Sequence, residues 1–406
     1  MAQVRDRFGG RDPRVDFFRG LCFLIIFIAH VPRNAMGNWI PAKFGWSDAT
    51  EMFVFMSGYA AAIAFGMVFA RRGFVMGVGR VAYRTWQVYT AHLTLFIFIV
   101  AFSAAATIAY SGGGAVDRWS DIDYIGKLNL WYFFDETATA IVGFFTLQYV
   151  PNYFDILPMY LVILAMMPLV MAASRVHPWG GPALCIALYL FTWIHGLALP
   201  AEVRPDDHRT WFFNPFGWQL VFYTGFAISM GWVRTPPRSR LLFWACIVFI
   251  VCVALVSNYN FYRGSELLTT LREWASPLRA KSDFAIGRYV HFLAIAYATV
   301  YLLHGREQIL LTAIGRPIMK CGQQSLPVFM FGMILARIAG LVLDVAGREV
   351  WVVVLVNFGG FALMVGFAYL LGWLKAEPWK KRPAPRVDAA LQPAPSAPVP
   401  NPAAGE

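Results

Sequence analysis

Residues 11–34 read "RDPRVDFFRGLCFLIIFIAHVPRN", an apolar helical segment that carries Arg19 near its start and His30 near its end. At roughly 100° per residue the eleven positions between them bring both side chains onto one face. Their axial separation is about 16 Å at 1.5 Å per residue. An ionisable group in hydrocarbon costs at least a few kcal/mol, so such groups mark function. The composition sets the solvent: the chain is 58% hydrophobic and only 14% charged over 406 residues. A soluble chain carries about 25% charged residues. The expected fold is therefore an all-α integral membrane protein.

About ten spans meet the usual length of roughly 20 apolar residues. They fall at 14–33, 48–70, 83–107, 153–174, 181–199, 214–232, 239–257, 286–304, 322–343 and 350–374. The first spans only if Arg14 and Arg19 snorkel to the interface. The segment "ETATAIVGFFTLQYV", 136–150, is too short to cross and is expected to be re-entrant or interfacial. Residues 1–13 form a short arm, 14–375 the bundle, and 376–406 a Pro/Ala-rich tail that lacks the apolar content to bury a core. No cleavable signal sequence is expected, because five arginines and three aspartates fall in residues 1–19.

Orientation follows from the positive charges. With both termini cytoplasmic, Lys and Arg number 21 in the inner segments against 12 in the outer loops, the sense that the positive-inside rule requires. The net charge of +11 is thereby explained by topology and lipid headgroups, and nucleic acid is not an expected partner. The five cysteines show neither metal-ligand spacing nor a pairing pattern.

Three constellations suggest chemistry. His30 suits proton abstraction near neutral pH, and Asp48 and Glu51, in the first turn of the next span, lie at about its depth. The alternative for Asp48 is ordinary N-cap duty. "RRGFVMGVGRVAYRTWQVYTAHLTLF", 71–96, places Arg80 and Arg84 on one helix face at the cytoplasmic side, where guanidinium forks suit phosphates. His92, deeper on that face, is expected to bond a neighbouring helix. The outer loops interleave aromatic rings with Asp, Asn, Arg and Gln, a pattern suited to sugars and also to an aromatic belt.

The motifs "RDPRVDFFRGL…H" and "FGWSDATEMFVFMSGY" resemble the OpgC-type proteins, and the resemblance continues through "WQVYTAHL", "NYFDILPMYLVIL", "NPFGWQLVFYTG", "HFLAIAYATVYLL" and "GQQSLPVFMFGM". These are multi-span succinyltransferases of osmoregulated periplasmic glucans, a branch of the acyltransferase-3 superfamily. Arg19 with His30 matches that superfamily's first-helix motif, and "FVFMSGY" its Ser-Gly-aromatic motif. The paired arginines match less closely, since Arg80 and Arg84 stand four apart where three is typical.

The resemblance implies an enzyme of the bacterial inner membrane with no bound cofactor or metal, using acyl-coenzyme A, succinyl-coenzyme A above all, and a glucan or other glycan acceptor. In that reading His30 is the general base, aided by Glu51 or Asp48, and Arg19, Arg80 and Arg84 hold the donor. Arg33 and Lys281 are candidates for the acyl carboxylate, and Trp218 and Gln219 for the acceptor. The rival class is a transporter or flippase for an anionic or sugar substrate.

Overall fold

The computed structural model describes residues 12–110, 123–201 and 208–380. Most of the N-terminal arm, residues 111–122 and 202–207, and residues 381–406 of the tail lie outside them. Among the described residues the fold is all-helical, with a single isolated β-bridge between Pro200 and Thr210.

Each of the ten expected segments is helical, and local chemistry sets the boundaries. Helix α1, Pro13–His30, starts at Asp12, whose side chain accepts from the Arg14 N–H, with proline in the first turn. It stops where Val31 turns extended ahead of Pro32, as a residue before proline must. Helix α2, Ala49–Ala61, begins with a full capping box: Thr50 N–H donates to Asp48, and Asp48 N–H donates to Glu51 at 2.7 Å. A π-helical turn, Ala62–Gly66, joins it to α3, Met67–Arg72.

Helix α4, Phe74–Tyr110, runs for 37 residues. A short helix, α5 (Trp131–Asp135), precedes the segment too short to cross, which forms α6, Thr137–Phe145, and lies along α4 with Phe144 stacked on Phe96 at 3.9 Å. Helices α7 (Ile156–Val176), α8 (Gly180–His195), α9 (Pro215–Met230) and α10 (Arg240–Ser257) follow. Two short helices, α11 (Tyr259–Tyr262) and α12 (Glu266–Trp274), lead to α13 (Ile286–Leu303). The ninth expected span, 322–343, falls mainly in α15 (Ser325–Ala346), which a break at Gln324 separates from α14 (Gly315–Gln323), and α16 (Val350–Lys375) closes the bundle.

Seven helices among the described residues are long and apolar enough to cross a membrane: Ala49–Arg72, α4, α7, α10, α13, α15 and α16. The remaining expected spans, α1, α8 and α9, are shorter or carry more charge. Two of these are nonetheless central, because glycine lets backbones meet. A Cβ on Gly20 would overlap the Ile318 carbonyl and one on Gly322 the Asp16 carbonyl, so α1 and α14 cross in contact. Gly58 and Gly225 do the same for α2 and α9.

The connections gather at two ends. At one, Lys281 reaches Asp48 and Arg348 donates to the Arg33 carbonyl; at the other, Tyr297 accepts from the Ser239 N–H and Lys375 donates to Gln324. On the expected orientation, with both termini cytoplasmic, the first end would face away from the cytoplasm. A single cysteine at Gly264, in an exposed turn at that end, should therefore react with an impermeant maleimide on right-side-out spheroplasts, and one at exposed Thr235 should not. The reverse labelling pattern would invert the orientation.

Candidate functional site

His30 is the last residue of α1. Its Nδ1 lies 2.7 Å from the Ile26 carbonyl oxygen, one turn back. A carbonyl only accepts, so Nδ1 carries the proton and Nε2 keeps the lone pair. The Tyr153 ring stands edge-on to the imidazole at 5.5 Å, and the Arg337 guanidinium lies over that ring at 4.9 Å. Tyr153 sits at φ 72°, a left-handed conformation that is rare for a bulky residue and is concentrated at functional sites. Arg337 Nε is buried with no hydrogen-bond partner among the described residues.

Asp48 and Glu51 fall beside each other but engage cations, not the imidazole. Arg288, on the first turn of α13, donates from Nε to Glu51 at 2.7 Å, and Lys281 donates to Asp48 at 2.6 Å. Arg288 also lies 3.7 Å from Asp48. Glu51 is fully buried, with one oxygen given to Arg288 and the other to the Asp48 N–H. Three residues further along α13, His291 Nδ1 sits 2.7 Å from the Ser47 hydroxyl. This four-charge cluster ties the start of α2 to α13.

At the other end of α1, Arg19 lies within electrostatic reach of Arg84 and Tyr160, and its Nε is buried without a hydrogen-bond partner among the described residues. Arg84 donates to Gln87 at 3.2 Å. Arg80 is exposed and lies over the Phe65 and Tyr83 rings. Of the two arginines at four-residue spacing, Arg84 is the one brought towards Arg19.

The other candidates are dispersed. Arg33 pairs with Asp344 at 2.8 Å, in a clasp that Arg348 and the Tyr124 hydroxyl complete. Trp218 is fully buried, donating to the Lys281 carbonyl at 3.0 Å. Gln219 is also fully buried and donates to the Cys185 carbonyl at 2.8 Å. Trp218 therefore ties α9 to the turn before α13 and Gln219 ties it to α8, and neither presents a face to an acceptor. His92 packs on Phe144 at 4.9 Å, and neither of its ring nitrogens meets a partner among the described residues, so the expected interhelical bond is replaced by ring packing.

A cavity of about 810 Å³ opens beside the charged cluster, between the 38–46 segment and residues 257–279. Trp46, Tyr259, Asn260, Arg272, Arg279 and Arg288 contribute to its wall. Burial first, and then the nearby charge of Arg272, lower the pKa of the Arg279 guanidinium from its ordinary value.

Arg337 and Tyr153 are the residues that reading the sequence passed over. The signal for Arg337 was present: it is an arginine inside an otherwise apolar stretch, "FGMILARIAGLVL". Tyr153 gave none, because its position depends on a backbone turn and on a packing partner far along the chain.

Comparison with known proteins adds one finding. No curated protein and no solved structure matches the chain. A family profile described as OpgC protein matches residues 11–376, nearly the whole length, and the chain belongs to that family.

Proposed function

We propose that the protein is a membrane-bound O-acyltransferase that moves a succinyl group from cytoplasmic succinyl-coenzyme A to a hydroxyl of a periplasmic glucan, with His30 as general base. The observation that carries this reading is the tautomer: with Nδ1–H committed to the Ile26 carbonyl, Nε2 is the basic nitrogen. In the transfer, Nε2 takes the proton of the acceptor hydroxyl as its oxygen attacks the thioester carbonyl. The carbon–sulfur bond then breaks, and the coenzyme A thiolate leaves and is protonated. Arg337, whose Nε is unsatisfied among the described residues and whose guanidinium lies over the Tyr153 ring that abuts His30, would donate to the developing oxyanion.

Three turns along the same helix face, Arg19 with Arg84 suits the nucleotide phosphates of the donor. The pantetheine arm is long and extended, and the ~16 Å between Arg19 and His30 fits such a chain. The lipid bilayer surrounds the bundle, and the bacterial inner membrane is the compartment where a cytoplasmic thioester and a periplasmic glucan meet.

Purified protein given labelled succinyl-coenzyme A and glucan should release free coenzyme A and label the glucan. Intact donor after prolonged incubation, with labelled substrate crossing a liposome membrane instead, would make the protein a carrier.

The donor site carries a second prediction. Losing one charge-assisted contact at a partly wet mouth costs about 1.5–3 kcal/mol. Arg84→Ala and Arg19→Ala should therefore each raise the donor KM roughly 10- to 150-fold and leave the glucan KM unchanged. Arg80→Ala, on the exposed side, should change the donor KM less than threefold. Equal effects at Arg80 and Arg84 would mean a general surface potential and no defined phosphate contact.

A further inference from the structure

We infer that the cavity between the 38–46 segment and residues 257–279 is a binding site for an anionic saccharide, a sugar unit bearing a carboxylate or a phosphate ester. This rests on the glycan acceptor proposed above and specifies it. The charge of the wall is one-sided: Lys43, Arg272, Arg279 and Arg288 line it, and among the described residues no carboxylate does. These cations are not equivalent. Arg288 is neutralised by Glu51, and Arg272 spends NH1 on the Val256 and Ser257 carbonyls at the C-terminus of α10. Arg279 has no such arrangement, and its Nε is buried without a hydrogen-bond partner among the described residues.

A buried donor left unmade costs about 1–3 kcal/mol, and a second guanidinium nearby adds repulsion; an anion seated between them relieves both. The rest of the wall selects the kind of anion. Trp39 is 80% exposed and Tyr259 60%, and both line the cavity, offering flat faces to the C–H side of a sugar ring. Asn260 adds an amide group for hydroxyls. Phosphate alone would need neither. The volume, about 810 Å³, lies within the range of small-molecule sites. The position, against Arg288 and the Asp48 cluster, puts such a ligand at the end of the bundle where His30 lies.

The test uses the full chain in nanodiscs of zwitterionic lipid, with no acyl donor present. The probes are a fluorescent neutral β-glucan oligosaccharide and the same oligosaccharide carrying a succinate half-ester. At low salt the charged probe should bind at least about tenfold more tightly, the contribution of one charge-assisted contact. Arg279→Gln should abolish that preference while leaving binding of the neutral probe intact, and Arg279→Lys should restore part of it. Should Arg279→Gln fail to fold, salt titration of the wild-type protein decides, since the preference should fade by about 1 M salt as screening shortens to about 3 Å.

Equal affinity for the two probes, or a preference unchanged in Arg279→Gln, would overturn the inference. So would loss of all oligosaccharide binding in nanodiscs containing anionic lipid, which would make the cavity a headgroup site. Because no donor is present, a failure of acyl transfer leaves this result standing, and a failure here leaves the transfer assay intact.

Discussion

Replacing His30 with Gln or Asn should lower kcat for succinyl transfer by about 10²–10⁴, the usual contribution of a general base. In barrier terms that is about 2.7–5.4 kcal/mol. Insertion and folding should be unaffected, because among the described residues the side chain makes one hydrogen bond, to a carbonyl one turn back on its own helix. Asn is the more informative replacement. Its amide N–H can occupy the place of Nδ1–H and preserve the bond to Ile26, while nothing replaces the lone pair of Nε2. A loss shared by Asn and Gln therefore points to the base, and a loss in Gln alone points to the orientation of the helix end. The measurement is the initial rate of coenzyme A release at saturating donor and glucan, per folded molecule. A wild-type rate in either variant would remove His30 from the chemistry.

What the sequence discloses about this site follows the range of the interactions involved. The helix segments were legible because the requirement to satisfy every backbone group in lipid writes itself into long apolar runs. The N-cap at Asp48 was legible, as the alternative reading of that residue, for the opposite reason, being a contact of two residues' span, while the return bond from its N–H to Glu51 was not read. Arg19 and His30 share a helix, so their common face follows from the helical repeat alone. The partners of Glu51 were hidden: Arg288 is 237 positions away, and only the packing of α2 near α13 brings it there. The same holds for Arg337 and Tyr153, joined across the bundle by a cation–ring contact. Trp218 and Gln219 show the reverse error. Aromatic and amide side chains near a loop suggest a sugar surface, yet the glycine-mediated contact of α2 and α9 draws that helix into the core and buries both.

The second large effect falls on stability and separates the two carboxylates. Glu51 is fully buried and Arg288 nearly so, and removing one member of such a pair costs about 3–5 kcal/mol because the other charge is left uncompensated. Glu51→Gln should therefore sharply lower the thermal midpoint in detergent. The second cation bound to the cluster, Lys281, is 29% exposed and its ion pair with Asp48 is correspondingly weak. Asp48→Asn should cost only about 1 kcal/mol, since asparagine keeps the N-cap that Thr50 N–H requires. The double variant Glu51→Gln, Arg288→Met should recover most of the lost stability, because no buried charge is then stranded. Activity per folded molecule completes the assignment. Both oxygens of Glu51 are already held, by Arg288 and by the Asp48 N–H, so its part is to fix the start of α2 against α13. The rate of the folded Glu51→Gln fraction should fall less than tenfold. A variant that melts like the wild type but transfers a hundredfold more slowly would instead give the Glu51 charge a direct share in the reaction, alongside His30.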